Sequence, residues 1–352
     1  MKLDVNSLLQ SFKAQIDGAL ADFVNSQSKQ LSNIGEELEP VSSNLSKFIL
    51  ENGKRLRPIF AIAGFSATDS EITTEVIKAA ASLELIHVCA LIHDDLMDGS
   101  ETRRGAPAIH KSFEKLHRSN MKSGNPEQYG AGAAILLGDL ALVWSAKMLH
   151  ESGLSPAQLS IVLPSYDILR VELMAGQFLD IEEQTAHKSS MEKSRKIARY
   201  KSGKYTIERP LHFGAALGGR LDLFQKFTDY GLPLGEAFQL RDDILGVFGK
   251  SELTGKPAGD DLLEGKRTAL IAKTLELANA SQALALTAVL GNRAATPEMI
   301  DKAREIISET GALSEIESLI TKLTHESIQA ISGLPNEELL IKLSELTTKR
   351  SS

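Results

Sequence analysis

Cysteine is almost missing from this sequence. One residue, Cys89, occurs in 352, so no internal disulfide can form and a reducing compartment, the cytoplasm, is the simpler expectation. Basic residues are not in excess: 39 Lys and Arg stand against 46 Asp and Glu, for a net charge of −7. That balance argues against a general nucleic-acid binder, yet it permits a local cationic pocket. No uninterrupted apolar run reaches the ~20 residues that a membrane span needs, so no transmembrane segment is expected. The N-terminal MKLDVNSLLQSFKAQ carries an acid early and lacks the apolar stretch of a signal peptide. Period-two strand patterning is scarce, no fixed short repeat is visible, and neither a Ser-His-Asp nor a Cys-His constellation appears.

What the chain does have is helical pattern. Residues 71–98 contain no Pro or Gly, and from Ala79 to Ile92 almost no polar face is left, so this helix should be buried on most sides. Residues 131–149 read the same way, with Asp139 as an isolated charge. Further helices are expected at 156–178, 191–202, 204–217 and 221–247, and through roughly 267–349 with breaks at Gly291, Thr296, Gly311 and Pro335. Polar, turn-rich stretches at 117–130 and 249–268 read as loops. Apolar helices resume on both sides of each, which predicts an all-α fold in one domain, residues 1–352.

The chemistry lies in four charged clusters. His93-Asp94-Asp95-Leu96-Met97-Asp98 ends the first apolar helix, with Asp94 and Asp98 one turn apart on a shared face. Three crowded carboxylates repel unless a cation holds them, and oxygen-only ligands suit Mg²⁺. A solvated helix end would also be acidic, but its polar face should run further back than this one does. Arg241-Asp242-Asp243-Ile244-Leu245-Gly246 closes a second apolar helix. One Asp pair is weak evidence; two such motifs can clamp a diphosphate through metal ions. Gly53-Lys54-Arg55-Leu56-Arg57-Pro58 sets Lys54 and Arg57 three apart, as if on one helical face, and Arg103-Arg104-Gly105 follows the first Asp motif. Arg forks and Lys point charges both suit phosphate, and the glycine spacing of GKRLRP is not that of a P-loop. His87, seven residues before Asp94, shares its face about two turns away; alone it would pass for a satisfied core histidine.

Taken in order, GKRLRP, ELIHVCALIHDDLMD, ETRRGAP, GQFLD, KSGKY, FQLRDDILG and TGKPAGDDLLEGKRT resemble the trans-isoprenyl diphosphate synthases, also called polyprenyl synthetases, over roughly residues 50–270. The resemblance implies a helical bundle around a central cavity, a homodimer, and Mg²⁺ as cofactor. It implies that Lys54, Arg57, His87 and Arg104 hold the diphosphate of isopentenyl diphosphate, and that Arg103 faces an allylic diphosphate. Lys201, Gln239, Lys256 and Lys266 would surround that second diphosphate. Asp94, Asp98 and Asp242 would be the principal metal ligands, with Asp95 and Asp243 beside them. Lys201, Ser202, Gln239 and Gln177 would act at the reaction centre, with Asp180 in the Gln177 motif. Where many relatives carry a third Asp in the second motif, this chain has Gly246, which leaves open how that metal shell is completed.

The implied reaction ionises the allylic diphosphate, attacks the resulting cation with the double bond of isopentenyl diphosphate, and removes a proton, with the departing pyrophosphate as base. Its short DDxxD form resembles geranylgeranyl and longer-chain synthases. Small residues Cys89 and Ala90, one turn before the Asp motif, would let the growing chain pass, with Ile86 and Trp144 towards its floor; geranylgeranyl diphosphate is the expected product and a longer polyprenyl diphosphate the alternative. A class I terpene cyclase would not need GKRLRP or His87, and a non-catalytic partner subunit would be expected to lose its Asp motifs.

Overall fold

The all-apolar stretch around Ala79–Ile92 forms α4 (Thr74–Met97), and its side chains from Val76 to Ile92 are buried almost all round. In this computed structural model, which describes residues 4–51, 53–185, 190–249 and 259–349, the chain is all-α apart from one short hairpin. It divides into two compact units: one through Ser165 together with Pro210–Leu221, the other Tyr166–Arg209 together with the chain from Asp222 on.

In the first unit α4 packs chiefly against α6 (Pro126–His150), and also against α3 (Leu56–Ser66), α1 (Val5–Ser32) and α2 (Glu39–Leu50). α4 and α6 run antiparallel. Gly138 lies against the His93 ring, where a Cβ would come within 2.1 Å, and Ser145 Oγ donates to the Ser82 carbonyl at 2.7 Å. The polar stretch 117–130 is shorter as a loop than expected. α5 (Ile109–Ser119) reaches into it, and α6 begins early because Pro126 stands at its first turn and Asn125 accepts from the Glu127 and Gln128 amides. Between α4 and α5, β1 (Thr102–Arg103) and β2 (Ala106–Pro107) pair antiparallel around Arg104 and Gly105, both at positive φ, which is the two-residue turn that matches strand twist. α9 (Arg209–Leu217) crosses α3 so closely that a Cβ on Gly214 would lie 1.9 Å from the Ala61 carbonyl.

In the second unit, the expected break at Gly203 is absent. α8 (Met191–Ile197) continues into a π-helical segment, Ala198–Glu208, because Gly203 lies against Gly235 of α10 (Phe224–Phe248) and the close approach holds the wide turn in place. α7 (Pro156–Gln184) extends six residues beyond its expected end. The C-terminal core gathers Leu240, Ile244, Leu262, Ile271, Ile307 and Ile316 from α10, α11 (Asp260–Glu264), α12 (Ala269–Leu277), α14 (Pro297–Glu309) and α15 (Ala312–Ala330), with α13 (Ala280–Thr287) and α16 (Glu337–Thr348) completing the unit.

α4 and α6 pass the length and average hydropathy of a membrane span although neither is an uninterrupted apolar run; their apolar windows are 72% and 44% buried within the protein, which for α4 is the mark of a core helix.

Candidate active site

The first unit gathers Lys54, Arg57, Arg103 and Arg104. Lys54 precedes α3 and is exposed, so the shared helical face expected for Lys54 and Arg57 does not exist: Arg55 between them has φ +55° and the helix starts at Leu56. Arg57 is buried at 8% exposure on α3. Arg104 stands at the hairpin tip, donates to the Glu51 carbonyl at 3.2 Å, and lies over the Phe48 ring at 5.9 Å. His87, on α4, is brought to these groups. Its pKa falls well below the ordinary histidine value, first through burial and then through the charges of Arg57, Arg104, Arg103 and Arg55. His87 is therefore neutral, a hydrogen-bonding group among four guanidinium ions. Arg104 is itself lowered, by burial first and by Arg55, Arg103 and Arg57. The nearby charges of Arg55, Arg103 and Arg57 that act on Arg104 and His87 make this a cationic surrounding suited to a multivalent anion.

The first Asp motif is also in this unit. Asp95 is fully buried and clamped by Arg103, whose Nε donates to both carboxylate oxygens at 2.9 and 3.1 Å and whose Nη2 makes a third contact. Asp94 and Asp98 are less buried, one turn apart, with the Asp98 amide donating to the Asp94 carbonyl at 2.8 Å. Arg103 Nη2 is 3.8 Å from Asp94. Deeper on α4, Ile86 and Cys89 have no exposure and Ala90 is half-buried. The Cys89 thiol lies 3.7 Å from His93 Nδ1, and burial together with Asp139 pushes its pKa up to about 12, so it stays protonated. Trp144 is buried on α6 and meets Phe23 of α1 edge-on at 6.3 Å.

The second unit carries the other motif. Asp243 is buried on α10 and accepts from Gln239 Nε2 at 2.7 Å, while Asp242 is exposed. Burial raises the Asp243 pKa to about 8, and the charges of Asp261 and Asp242 add to the rise. Arg241 is an anchor: it grips Glu317 of α15 through both terminal nitrogens and donates to the Thr348 carbonyl of α16 at 2.9 Å. Lys201 and Ser202 fall in the π-helical segment, half-buried, and Lys201 Nζ donates to Asp180 at 2.5 Å. Gln177 follows Gly176, whose absent Cβ would meet the Lys201 amide at 2.4 Å, so the glycine sets that approach. Lys266 contacts Glu264 at 2.7 Å and Asp261 at 3.3 Å. Lys256 lies outside the described residues.

Asp261 was not singled out in the sequence. A Cβ on Gly246 would lie 1.9 Å from Asp261 Oδ2, so the carboxylate of α11 fills the space that a side chain at position 246 would take. The pairing joins residues 15 apart, and nothing in their spacing announces it. Among the described residues no three His, Cys, Asp or Glu side chains are spaced as a closed metal cage. Mg²⁺ does not require one, because it is commonly held by one or two carboxylates with substrate phosphates and water; the all-oxygen donors and the Gly246 cradle fit that ion.

The model of the polyprenyl synthetase family matches residues 39–307, running through both units. A solved geranylgeranyl pyrophosphate synthase from Corynebacterium glutamicum, complexed with isoprenyl diphosphate and magnesium, is similar at 41% identity and a TM-score of 0.94, over 99% of this chain and 100% of that one. The geranylgeranyl diphosphate synthase of Saccharolobus solfataricus is 31% identical over 85% of this chain and 86% of its own, and the geranylfarnesyl diphosphate synthase of Aeropyrum pernix 29% over 95% and 99%. The chain belongs to the polyprenyl synthetase family and is a trans-prenyltransferase.

Proposed function

We propose that this enzyme condenses isopentenyl diphosphate with an allylic diphosphate in a Mg²⁺-dependent reaction, with geranylgeranyl diphosphate as main product. The observation that carries the reading is the gathering of Arg57 at the start of α3, Arg104 at the hairpin tip beside the end of α2, and His87 on α4, a cationic grouping that suits a diphosphate with no metal of its own. Arg57, Arg104, Lys54 and His87 hold isopentenyl diphosphate there. Asp94, Asp98 and Asp242 are the residues that would hold Mg²⁺, with Asp95 orienting Arg103 and Asp261 supplying the carboxylate that position 246 lacks. Bound Mg²⁺ supplies positive charge that neutralises the diphosphate leaving group.

The side chains do the rest of the positioning. Arg103, Lys201 and Lys266 present preorganised positive charge to the allylic diphosphate, where charge grows as the C–O bond breaks; Lys256, outside the described residues, is assigned to the same group by its sequence motif alone. Gln239, fixed by its bond to Asp243, and Gln177, Lys201 and Ser202 offer dipoles to the allylic cation. The double bond of isopentenyl diphosphate forms the new C–C bond, and the proton lost from it goes to the released pyrophosphate. No side-chain nucleophile is needed. Small Cys89 and Ala90 leave room for the tail, and Ile86 and Trp144 limit it. An apolar stripe on α7, with Val171 and Phe178 63% and 61% exposed, supports assembly as a homodimer, and the cysteine-poor composition supports a cytoplasmic location.

Asp94→Ala and Asp242→Ala should each remove most turnover while the circular dichroism spectrum is retained. Near-normal condensation by either variant would contradict the metal assignment.

A further inference from the structure

Arg55 is 1% exposed and sits between two residues of the proposed isopentenyl diphosphate subsite. Its guanidinium reaches three elements: Nε donates to Asp17 of α1 at 2.6 Å, Nη1 to Glu84 of α4 at 3.0 Å, and Nη2 to the Leu50 carbonyl at the end of α2 at 3.2 Å. Gly53 is part of the same arrangement, since a Cβ there would lie 2.1 Å from Nη1. Glu84 is also 1% exposed, stands one helical turn before His87, and its charge reaches Arg104 as well as Arg55.

Two features of this network are hard to explain by stability. A buried ion pair is a weak stabiliser, because desolvation offsets the attraction and apolar packing of similar volume does as well. The backbone at Arg55 is left-handed, which an L side chain adopts at a cost. What the network does fix is direction. With the Arg55 side chain held by three elements, the chain on either side must turn Lys54 outward and start α3 so that Arg57 lies among the cations. Glu84 places one buried negative charge beneath Arg104 and Arg55, which lets the cations stay close together.

We propose that Arg55 and Glu84, with Asp17 as a second anchor, form a buried positioning pair that sets the geometry of the isopentenyl diphosphate subsite without touching substrate. The proposal rests on the reading of Lys54, Arg57, His87 and Arg104 given above. A fork on three partners cannot be replaced by an ammonium point charge, so Arg55→Lys tests geometry with charge retained, and Glu84→Gln tests charge with shape retained.

The experiment is steady-state kinetics on the full-length enzyme, varying each substrate at saturating concentration of the other, with melting temperature and isopentenyl diphosphate binding by calorimetry. Arg55→Lys and Glu84→Gln should raise KM for isopentenyl diphosphate about tenfold, the loss expected of roughly one charge-assisted contact, and leave the allylic KM within about twofold. Asp17→Asn removes only the half-exposed anchor, so it should fold even where the others do not, and should shift the same KM in the same direction by a smaller factor. If melting temperature falls in all three while both KM values stay put or move together, the network is merely structural and the proposal is overturned. Lys54→Ala separates the two levels: if it leaves the isopentenyl diphosphate KM unchanged, the subsite reading itself fails, whereas a rise for Lys54→Ala with none for Arg55→Lys or Glu84→Gln overturns the positioning role alone.

Discussion

Asp95 and Asp94 are neighbours in sequence with opposite surroundings. Asp95 is sealed beneath Arg103, and Asp94 is left more open on the face it shares with Asp98. The same division separates Asp243 from Asp242. In each motif one carboxylate is enclosed with a partner from its own unit and the other is presented. Gly246 extends this logic, because its missing side chain is the seat of the Asp261 carboxylate. Gly246→Ala therefore sets two effects against each other. Alanine in a helix interior gains up to about 1 kcal/mol over glycine, and the atom it strikes is the end of a movable side chain, so the melting temperature should hold or rise. Turnover should fall several-fold as Asp261 is pushed out of place. Unchanged turnover would show that the Asp261 seat has no part in the reaction. The sequence displayed Asp94, Asp98, Asp242 and the arginines openly, because charges that end an apolar helix are conspicuous. It did not display Arg55 or Asp261, whose roles depend on contacts with residues 29 and 15 positions away.

α4 is the element on which most of the account hangs. One helix carries Glu84, His87, Cys89, Ala90 and the Asp motif, so its rise of ~1.5 Å per residue is a ruler for the prenyl tail. Cys89, with no exposure and facing His93, stands at the α4–α6 contact. Cys89→Phe should shorten the main product to farnesyl diphosphate, and Ala90→Phe, on the face of Asp94, should do the same. Chromatography of the dephosphorylated products checks this, and unchanged length in both variants would remove the tail from this helix. α4 and α10 were legible from apolar periodicity alone. Two features were not. The π-helical segment depends on glycines that let backbones of different elements touch, Gly203 against Gly235 and Gly176 against the Lys201 backbone, and the start of α3 depends on a left-handed residue locked by a buried ion pair.

At the scale of the whole molecule, an acidic protein of net charge −7 brings Arg55, Arg57, Arg103 and Arg104 within electrostatic reach of one buried histidine, His87. That contrast separates a prenyltransferase from an enzyme that only ionises an allylic diphosphate, since only the former has a second diphosphate to hold. The central claim is condensation, and one assay tests it: labelled isopentenyl diphosphate with an allylic primer, with and without Mg²⁺, followed by product separation. The account predicts label in a prenyl diphosphate, chiefly geranylgeranyl, and none when the metal is chelated. Release of pyrophosphate from the allylic substrate with no label incorporated would contradict it.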